Sequence, residues 1–330
     1  MPKVFGNPLL AKQLLATGLL LTSIYAAAQS YPSKPVRVIM PVAAGGVADV
    51  LARAISLGLT ESLGRPFIVE NRPGASGIIG TEIVAKSAPD GYVLLFTGQT
   101  AVISLPFMKK DVPYDAVNGF VPIAMCCSIA QAVVINTSLK VNTVRELVDL
   151  GKANPGRLTY GSIGNGSLGH IYMEVLKRRT GIDMVHVPYK GGTPGVNDLL
   201  GGRISVMITA LSTLQEHFRA GKLKALAVGS ARRSAEFPDV PTTAEAGFAG
   251  WQWEFWQGWF APKGTPKEIV SRLNTAMSGI TGSRQFNQKY FKPNGIDAPH
   301  VGSAEEFAEF LRIERQTTGP LIESTGIRLD

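Results

Sequence analysis

The chain has little capacity for disulfide bonding, because its only two cysteines, Cys126 and Cys127, are neighbours in the sequence. Adjacent cysteines rarely pair, since the geometry of a disulfide would strain the peptide between them. A disulfide framework that fastens the loops is therefore excluded. We expect two buried thiols and an apolar core, which 330 residues with 45% hydrophobic content can build in one large or two medium domains.

Common catalytic motifs are also missing. The sequence contains no Gly-x-Ser-x-Gly elbow, His-Glu-x-x-His helix, Walker loop or Cys-x-x-Cys pair. Its histidines are scattered without the spacing of metal ligands, at His170, His186, His217 and His300. These absences favour a protein with no catalytic residues, no metal and no cofactor.

Long apolar runs are scarce as well. Residues 14–25 form an apolar run that is shorter than the roughly 20 residues of a spanning helix, and no later segment is long and apolar enough to span. Lys3 and Lys12 precede this run, and the small residues 26–28 follow it. This pattern predicts a signal peptide over residues 1–28, cleaved after Ala28, and an exported mature protein. No cysteine stands at the cleavage point, which disfavours a lipoprotein.

The charge balance is only mildly basic. The formal charge of +8 falls to +6 once Lys3 and Lys12 are removed with residues 1–28, which contain no acid. The short basic pairs at 178–179 and 232–233 are not interleaved with aromatic residues, so we expect no nucleic-acid partner. A basic surface favours acidic small solutes through a weak field effect.

A strand, a glycine-containing loop and an amphipathic helix recur along the chain. The strand-like residues 36–40 lead into Val42-Ala43-Ala44-Gly45-Gly46-Val47-Ala48-Asp49, after which apolar residues recur every four positions until Gly64. The pattern repeats through residue 97, and a second set of such units covers about residues 130–230. Alternation of this kind predicts an α/β fold with parallel sheets covered by helices on both faces.

The loop of residues 161–170 is a candidate anion site. Its glycines allow the backbone N–H groups to approach a ligand, and a helix beginning near Ser167 adds unsatisfied donors. The same residues match the dinucleotide pattern Gly164-x-Gly166-x-x-Gly169, and a plain turn is a third interpretation. Asp183 precedes the next strand, whereas a ribose-binding acid should follow it. His170, in the first turn of the helix, could cap the helix, pack in the core or contact a ligand.

The four tryptophans are concentrated at Trp251, Trp253, Trp256 and Trp259. A core aromatic cluster is one interpretation of this stretch. A pocket wall, or a strand crossing between lobes, is the other, and the sequence leaves both open.

Nine ordered motifs make the mature chain resemble the tripartite tricarboxylate transporter receptors, also called Bug-type periplasmic binding proteins. Among them are Ala43-Ala44-Gly45-Gly46, Glu70-Asn71-Arg72-Pro73-Gly74-Ala75, Gly164-Asn165-Gly166-Ser167 and His186-Val187-Pro188-Tyr189-Lys190-Gly191; the others span residues 31–37, 88–92, 220–223, 238–242 and 261–266. The resemblance implies a bilobed type II periplasmic-binding-protein fold with two Rossmann-like lobes. We expect residues 29–128 and 255–330 to form lobe 1 and residues 129–254 to form lobe 2.

The resemblance also implies a function. It predicts a monomeric, non-enzymatic periplasmic receptor that binds a small organic carboxylate in the cleft for its cognate membrane transporter subunits, without a cofactor. A periplasmic enzyme acting on a carboxylated molecule, or the ligand-sensing module of a signalling system, stays open as an alternative. The site residues expected from the resemblance are Ala43, Ala44, Gly45, Gly46, Val47, Asp49, Thr100, Gly164, Asn165, Gly166, Ser167, His170, Tyr189, Gly191, Thr209 and Trp256.

Two departures from the family pattern bear on the ligand. Val47 and Ala48 stand where members often carry hydroxyl residues, and Thr209-Ala210 stands where an acid and an amide or hydroxyl are common. The first change removes polar contacts and the second removes a negative charge. We therefore expect a mono- or dicarboxylic ligand with one firmly held carboxylate and a less polar remainder, for which the tryptophans suggest an aromatic group.

Overall fold

The structure of the protein is a computed structural model that describes residues 31–234, 236–294, 296–297, 299 and 301–329. The predicted signal peptide, with its cleavage point, and His300 lie outside the described residues. Among the helices that are described, none is long and apolar enough to cross a membrane.

Strands and helices alternate along most of the chain. The strands are β1 (Val36–Met40), β2 (Phe67–Asn71), β3 (Val93–Gly98), β4 (Phe120–Ile129), β5 (Gln131–Asn136), β6 (Leu158–Ser162), β7 (Met184–Pro188), β8 (Val206–Ala210), β9 (Leu223–Val228), β10 (Phe255–Pro262) and β11 (Ile296–Asp297). The helices are α1 (Val47–Leu63), α2 (Ile78–Ala85), α3 (Leu105–Met108), α4 (Val144–Ala153), α5 (Leu168–Thr180), α6 (Gly192–Leu200), α7 (Gln215–Arg219), α8 (Lys267–Gly282), α9 (Arg284–Phe286) and α10 (Ala304–Thr325). A π-helical turn, Thr100–Ser104, runs directly into α3.

The strands form two sheets, and each sheet is the centre of one lobe. The sheet of the first lobe has the order β11-β4-β10-β3-β1-β2, and that of the second lobe has the order β7-β6-β8-β5-β9. The predicted bilobed α/β fold is therefore confirmed. The chain passes from one sheet to the other at Ala130 and returns between β9 and β10. The residue boundaries assigned to the lobes stay a prediction.

The expectation of parallel sheets is wrong for part of each sheet. β1, β2 and β3 are parallel, and so are β6, β7 and β8, but β10 runs antiparallel to β3 and β4, and β5 runs antiparallel to β8 and β9. A single residue, Ala130, separates β4 from β5. Because β5 must begin beside the end of β4, it enters the second sheet from the edge at which β6 and β8 end. β10 enters the first sheet in the same way.

The tryptophan stretch belongs to the core of both lobes. Trp251 and Trp253 pack with apolar residues of the second sheet and its helices, whereas Trp256 and Trp259 pack in the first lobe. All four side chains are at most 4% exposed. Cys126, on β4, is buried with a free thiol, and Cys127 beside it is in the same state, as predicted.

The C-terminal helix joins the lobes. α10 packs against β4 and the π-helical turn of the first lobe, and also against α5 of the second. The hydroxyls of Tyr172 and Thr318 lie 3.5 Å apart at this contact. A capping box at Ser303 and Glu306 begins the helix, as its sequence predicts.

Candidate functional site

A cavity of about 670 Å³ lies between the lobes. The ends of β1, β3, β4, β6 and β8 approach it, together with the beginnings of β5 and β10. In open α/β sheets, ligands bind outside the carboxyl ends of the strands, where the loops lead into helices. The cavity is therefore the place where a ligand site is expected in this fold.

The first lobe presents the N-terminus of α1 to the cavity. Residues 46–49 all line it, and Gly46 precedes the helix in an extended conformation with no side chain that caps the first N–H groups. Gly45 has a φ of +93°, which is accessible to glycine and strained for other residues. The first amides of an α-helix have no acceptor within the helix, so this end offers free donors and a partial positive charge.

The second lobe presents the N-terminus of α5 from the opposite side. Asn165, Gly166, Ser167, Leu168 and Gly169 line the cavity. The Ser167 hydroxyl donates to the Gly164 carbonyl oxygen at 2.7 Å, and no side chain caps the helix. The first amides of α5 are therefore also available to a ligand.

The starts of the π-helical turn and of α6 are also among the helical ends that reach the cavity. Thr100, at the beginning of the π-helical turn, lines it from the first lobe, and Gly191, which precedes α6, lines it from the second. Neither end has a side-chain cap.

Two helices that begin away from the cavity, α4 and α10, are capped by side chains. The Thr143 hydroxyl accepts a hydrogen bond from the Glu146 amide at the start of α4, and the Ser303 hydroxyl accepts one from Glu306 at the start of α10. Neither Thr143 nor Ser303 is among the residues that line the cavity. The start of α8, which follows Pro266, has no side-chain cap either and does not line the cavity. What distinguishes α1 and α5 is that their uncapped ends face the same cavity, where an anion could take the place of the cap.

The cavity wall is mainly apolar and, among the described residues that line it, none is lysine or arginine. Apolar side chains come from both lobes, including Val47, Phe96, Ile163, Ile208 and Phe255. Polar groups are neutral apart from one acid. The cavity therefore combines a mainly apolar wall with hydrogen-bond donors that carry no full positive charge.

The acid is Asp49, and its carboxylate is already satisfied. It accepts hydrogen bonds from the Gly45 amide at 3.1 Å, the Arg53 guanidinium at 3.0 Å and the Asn71 amide at 2.9 Å. Burial raises the pKa of Asp49, but these hydrogen bonds and the Arg53 charge outweigh it and hold the pKa below its usual value. Asp49 therefore fixes the loop that precedes α1.

Comparison with known proteins identifies the family to which the chain belongs. The family model described as tripartite tricarboxylate transporter family receptor matches residues 51–327. The chain belongs to this receptor family. BugT of Bordetella pertussis (strain Tohama I) is 35% identical to this receptor over 303 residues, which cover 92% of each chain.

Solved structures of similar sequence support the same assignment. Rpa4515 of R. palustris, solved with adipate, is 31% identical to this receptor with a TM-score of 0.78, covering 90% of this chain and 99% of that one. The periplasmic binding protein BugD is 30% identical with a TM-score of 0.75, covering 90% and 99%. The family consists of solute-binding receptors.

Most of the residues expected at the site of this receptor line the cavity. They are Ala43, Gly46, Val47, Asp49, Thr100, Asn165, Gly166, Ser167, Gly191 and Thr209. Ala44, Gly45 and Gly164 belong to the same loops but are not part of the wall. A role in ligand binding stays a prediction for each of them.

Three expected residues lie elsewhere. Trp256 is fully buried in the core, where its ring packs against Phe260 and Phe307, so it does not form a pocket wall. The Tyr189 hydroxyl donates to Asp198 at 2.8 Å, behind the cavity wall. His170 also lies behind the wall and accepts a hydrogen bond from the Gly166 amide at 3.0 Å.

The structure adds wall residues that the sequence did not indicate. Gly74, Ser76 and Gly77 follow β2, in a loop whose resemblance to the loop after β1 could have identified them. Gln131 and Gln257 stand near the beginnings of β5 and β10. No sequence signal pointed to these glutamines, because their position depends on where the chain crosses between the sheets.

We predict that Asp49→Asn destabilises the receptor. An amide cannot accept all three hydrogen bonds, so we expect the free energy of unfolding to fall by about 1–3 kcal/mol near neutral pH. Because the folded pKa of Asp49 is lowered, its contribution is present above about pH 4 and is lost below it, so the difference from wild type should close in acid. Urea unfolding measures this. Glu61→Gln, an equal charge change at an exposed position of α1, should have little effect; equal losses would contradict the role of Asp49.

Proposed function

We propose that the protein is a periplasmic receptor that binds one small organic carboxylate between its lobes and delivers it to a tripartite tricarboxylate-type membrane transporter. The observation that carries the proposal is that uncapped helix N-termini from both lobes face one cavity. Family membership and the adipate bound to the relative Rpa4515 support the choice of a carboxylate.

Helix ends can hold a carboxylate without a lysine or an arginine. A hydrogen bond to a charged group contributes about 1.5–3 kcal/mol, and the dipole of one helix adds about 0.3–1 kcal/mol, or up to about 2 kcal/mol where the site is partly buried. Several such donors from α1 and α5 would offset the desolvation of one carboxylate in a cleft that excludes water. A second carboxylate would need donors of its own, and most of the remaining wall is apolar.

The apolar wall favours a ligand with an apolar body. Val42, Val47 and Ile163 are 44%, 37% and 49% exposed at the edge of the cavity, the first two on one lobe and the third on the other. Burying such side chains against a ligand stabilises a complex by about 25 cal/mol per Å² of apolar surface. The aromatic preference expected from the tryptophans loses its basis, because all four lie in the core.

Binding would also favour closure of the lobes. A ligand shifts an open–closed equilibrium only by the difference of its affinities for the two states, and a shift from 1:99 to 99:1 needs about 5.5 kcal/mol. Donors on α1 and α5 come from different lobes, so a ligand that reaches both binds the closed form more tightly. Delivery to a membrane subunit requires such a distinction between loaded and empty receptor.

We predict that adipate and hexanoate stabilise the purified receptor more than citrate or malate does. At a hundredfold excess over the dissociation constant, binding adds about 2.7 kcal/mol, which raises the Tm by about 4 °C for a chain of this size. A thermal-shift series followed by native mass spectrometry measures this. Dimethyl adipate, which keeps the body but lacks the charge, should give no shift. A larger shift with citrate than with adipate would contradict the proposed ligand class.

We predict that Gly46→Asp abolishes carboxylate binding, whereas Gly46→Asn only weakens it. Gly46 has an ordinary φ of −81°, and an added Cβ meets nothing within 4 Å, so both variants should fold. Both side chains cap α1 well, and they differ only in charge. Isothermal titration with adipate measures the two affinities. Equal affinities of the two variants would show that the anion does not lie at the N-terminus of α1.

We also predict export with removal of residues 1–28. The receptor recovered from the periplasm should have an intact mass that begins at Gln29. Replacing the apolar residues 14–25 by a polar stretch should leave the protein in the cytoplasm at its full mass. Recovery of the unprocessed chain from the periplasm would contradict the predicted cleavage.

A further inference from the structure

Two stacked histidine rings lie directly behind the loop of residues 164–167. The rings of His170, on α5, and His186, on β7, have centroids 4.1 Å apart and planes 6° apart. Tyr160, on β6, continues the stack at 4.8 Å from His186. The stack therefore joins the helix that follows the loop to the two strands beside it.

Hydrogen bonds connect this stack to both glycines of the loop. The Gly166 amide donates to His170 Nδ1 at 3.0 Å. On the other side, the Gly164 amide donates to Ser162 Oγ at 3.1 Å, and Ser162 Oγ is 2.7 Å from His186 Nε2. Gly164 and Gly166 have φ values of +129° and +73°, so these contacts hold backbone shapes that most residues do not adopt.

The His170 ring is uncharged in this arrangement, because a nitrogen that accepts an N–H carries no proton. Burial is the main cause that lowers the pKa of His170, and burial followed by the neighbouring His170 ring lowers that of His186 to about 4. The charged and titratable groups that face the pair are Glu174 and Lys177 on α5 and Tyr160 on β6. The Glu174 carboxylate accepts a hydrogen bond from the Tyr160 hydroxyl at 2.6 Å and another from the Lys177 ammonium group at 2.8 Å. Its negative charge is therefore shared between these two partners.

The first lobe contains the same hydrogen-bonding arrangement, in which a loop glycine donates to a side chain of the next helix, but with a different acceptor. There the Gly45 amide donates to the Asp49 carboxylate, again to a side chain four residues further along. Gly45 also has a positive φ, and both acceptors stand in the first turn of the helix that follows the loop. The side chain at this position thus has one task in both lobes, which is to fix the loop.

We propose that His170 is a positioning residue for the ligand site, and that His186 supports it through Ser162. They hold the loop of residues 164–167 so that the free amides at the start of α5 face the cavity, and they do so without adding charge near the bound anion. This inference rests on the proposed carboxylate site. It assigns neither histidine a contact with the ligand.

The pair of Ser162 and His186 fits this role better than a catalytic one. The serine is only 1% exposed and does not line the cavity, although its hydroxyl is within hydrogen-bond distance of the imidazole. A nucleophile has to reach its substrate, whereas a positioning residue does not.

Substitutions of His170 can separate the hydrogen bond from the stacking. His170→Phe keeps a flat ring but removes the acceptor, and His170→Asn keeps an acceptor close to the place of Nδ1. His170→Ala removes both and serves as a second acceptor-free variant in case the phenylalanine is not accommodated. Circular dichroism and urea unfolding identify variants that fold.

The first readout is amide exchange in the ligand-free receptor. The Gly166 amide should exchange roughly tenfold faster in His170→Phe and His170→Ala, and should stay protected in wild type and His170→Asn. The Gly181 amide, which donates to the Lys177 carbonyl at the end of α5, should not change in any of them. Equal protection of Gly166 in all variants would overturn the proposal, whether or not a carboxylate binds.

The second readout is the affinity for adipate. We expect it to fall roughly five- to tenfold in His170→Phe, as for the loss of one neutral hydrogen bond, and to be nearly unchanged in His170→Asn. Faster exchange with unchanged affinity would overturn the role in binding. If wild type ignores adipate, the proposed function is contradicted for this acid and amide exchange alone decides whether His170 holds the loop.

The third readout is the pH dependence of the same affinity. Protonation of His170 removes the acceptor, and because the pKa of His170 is lowered, wild type should keep its affinity relative to His170→Asn down to about pH 6.5 and lose it only at lower pH. Taking the ratio of the two cancels the titration of adipate itself. A ratio that already falls at pH values above about 6.5 would contradict an uncharged His170 as the acceptor near neutral pH.

Discussion

An anion without a cationic partner has to be held by neutral hydrogen-bond donors, and the proposed site depends on this constraint. The first amides of a helix are among such donors because they have no acceptor within the helix, and the uncapped ends of α1 and α5 bring them to the same cavity from both lobes. In each lobe the parallel strands end at the cleft, and the loops that follow them lead into α1 and α5. The apolar wall between these ends keeps the local dielectric low, which strengthens every hydrogen bond to a charge.

Three connections between the lobes keep the helix ends opposed across the cleft. The chain crosses at Ala130 and again before Phe255, where β5 and β10 enter their sheets from the cleft. The C-terminal segment is a third link, since α10 packs on both lobes and the Leu329 amide donates to the Met108 carbonyl. The Leu329 side chain fills the space behind Gly166, where a Cβ would come within 2.6 Å of it. A substitution at Gly166 would therefore disturb this link as well as the loop.

The local elements of this fold could be predicted from sequence, and the long-range arrangement could not. Four-residue spacing from Val47 to Leu63 identified α1, and the glycine loops marked the helix ends that line the cavity. The direction of β5 and β10 depends on which sheet the chain enters next, and periodicity carries no such information. Trp256 was ambiguous for a related reason, because a strand that crosses between lobes has faces toward both core and cleft. Its packing against Phe307 is set by α10, about fifty residues later in the sequence.

The difference between Asp49 and His170 follows from the charge of their neighbours. Four residues after Asp49, Arg53 donates to its carboxylate, so the first lobe can fix its loop with an acid whose charge is balanced. Four residues after His170 stands Glu174 instead. A carboxylate at position 170 would face that acid as well as the proposed anion site, and repulsion would offset the hydrogen bond to Gly166. An unprotonated imidazole accepts the same hydrogen bond without adding a negative charge. Burial in a stack of rings favours this unprotonated state. The residue type at position 170 is therefore explained by electrostatics around the loop, and contact with the ligand is not needed to account for it.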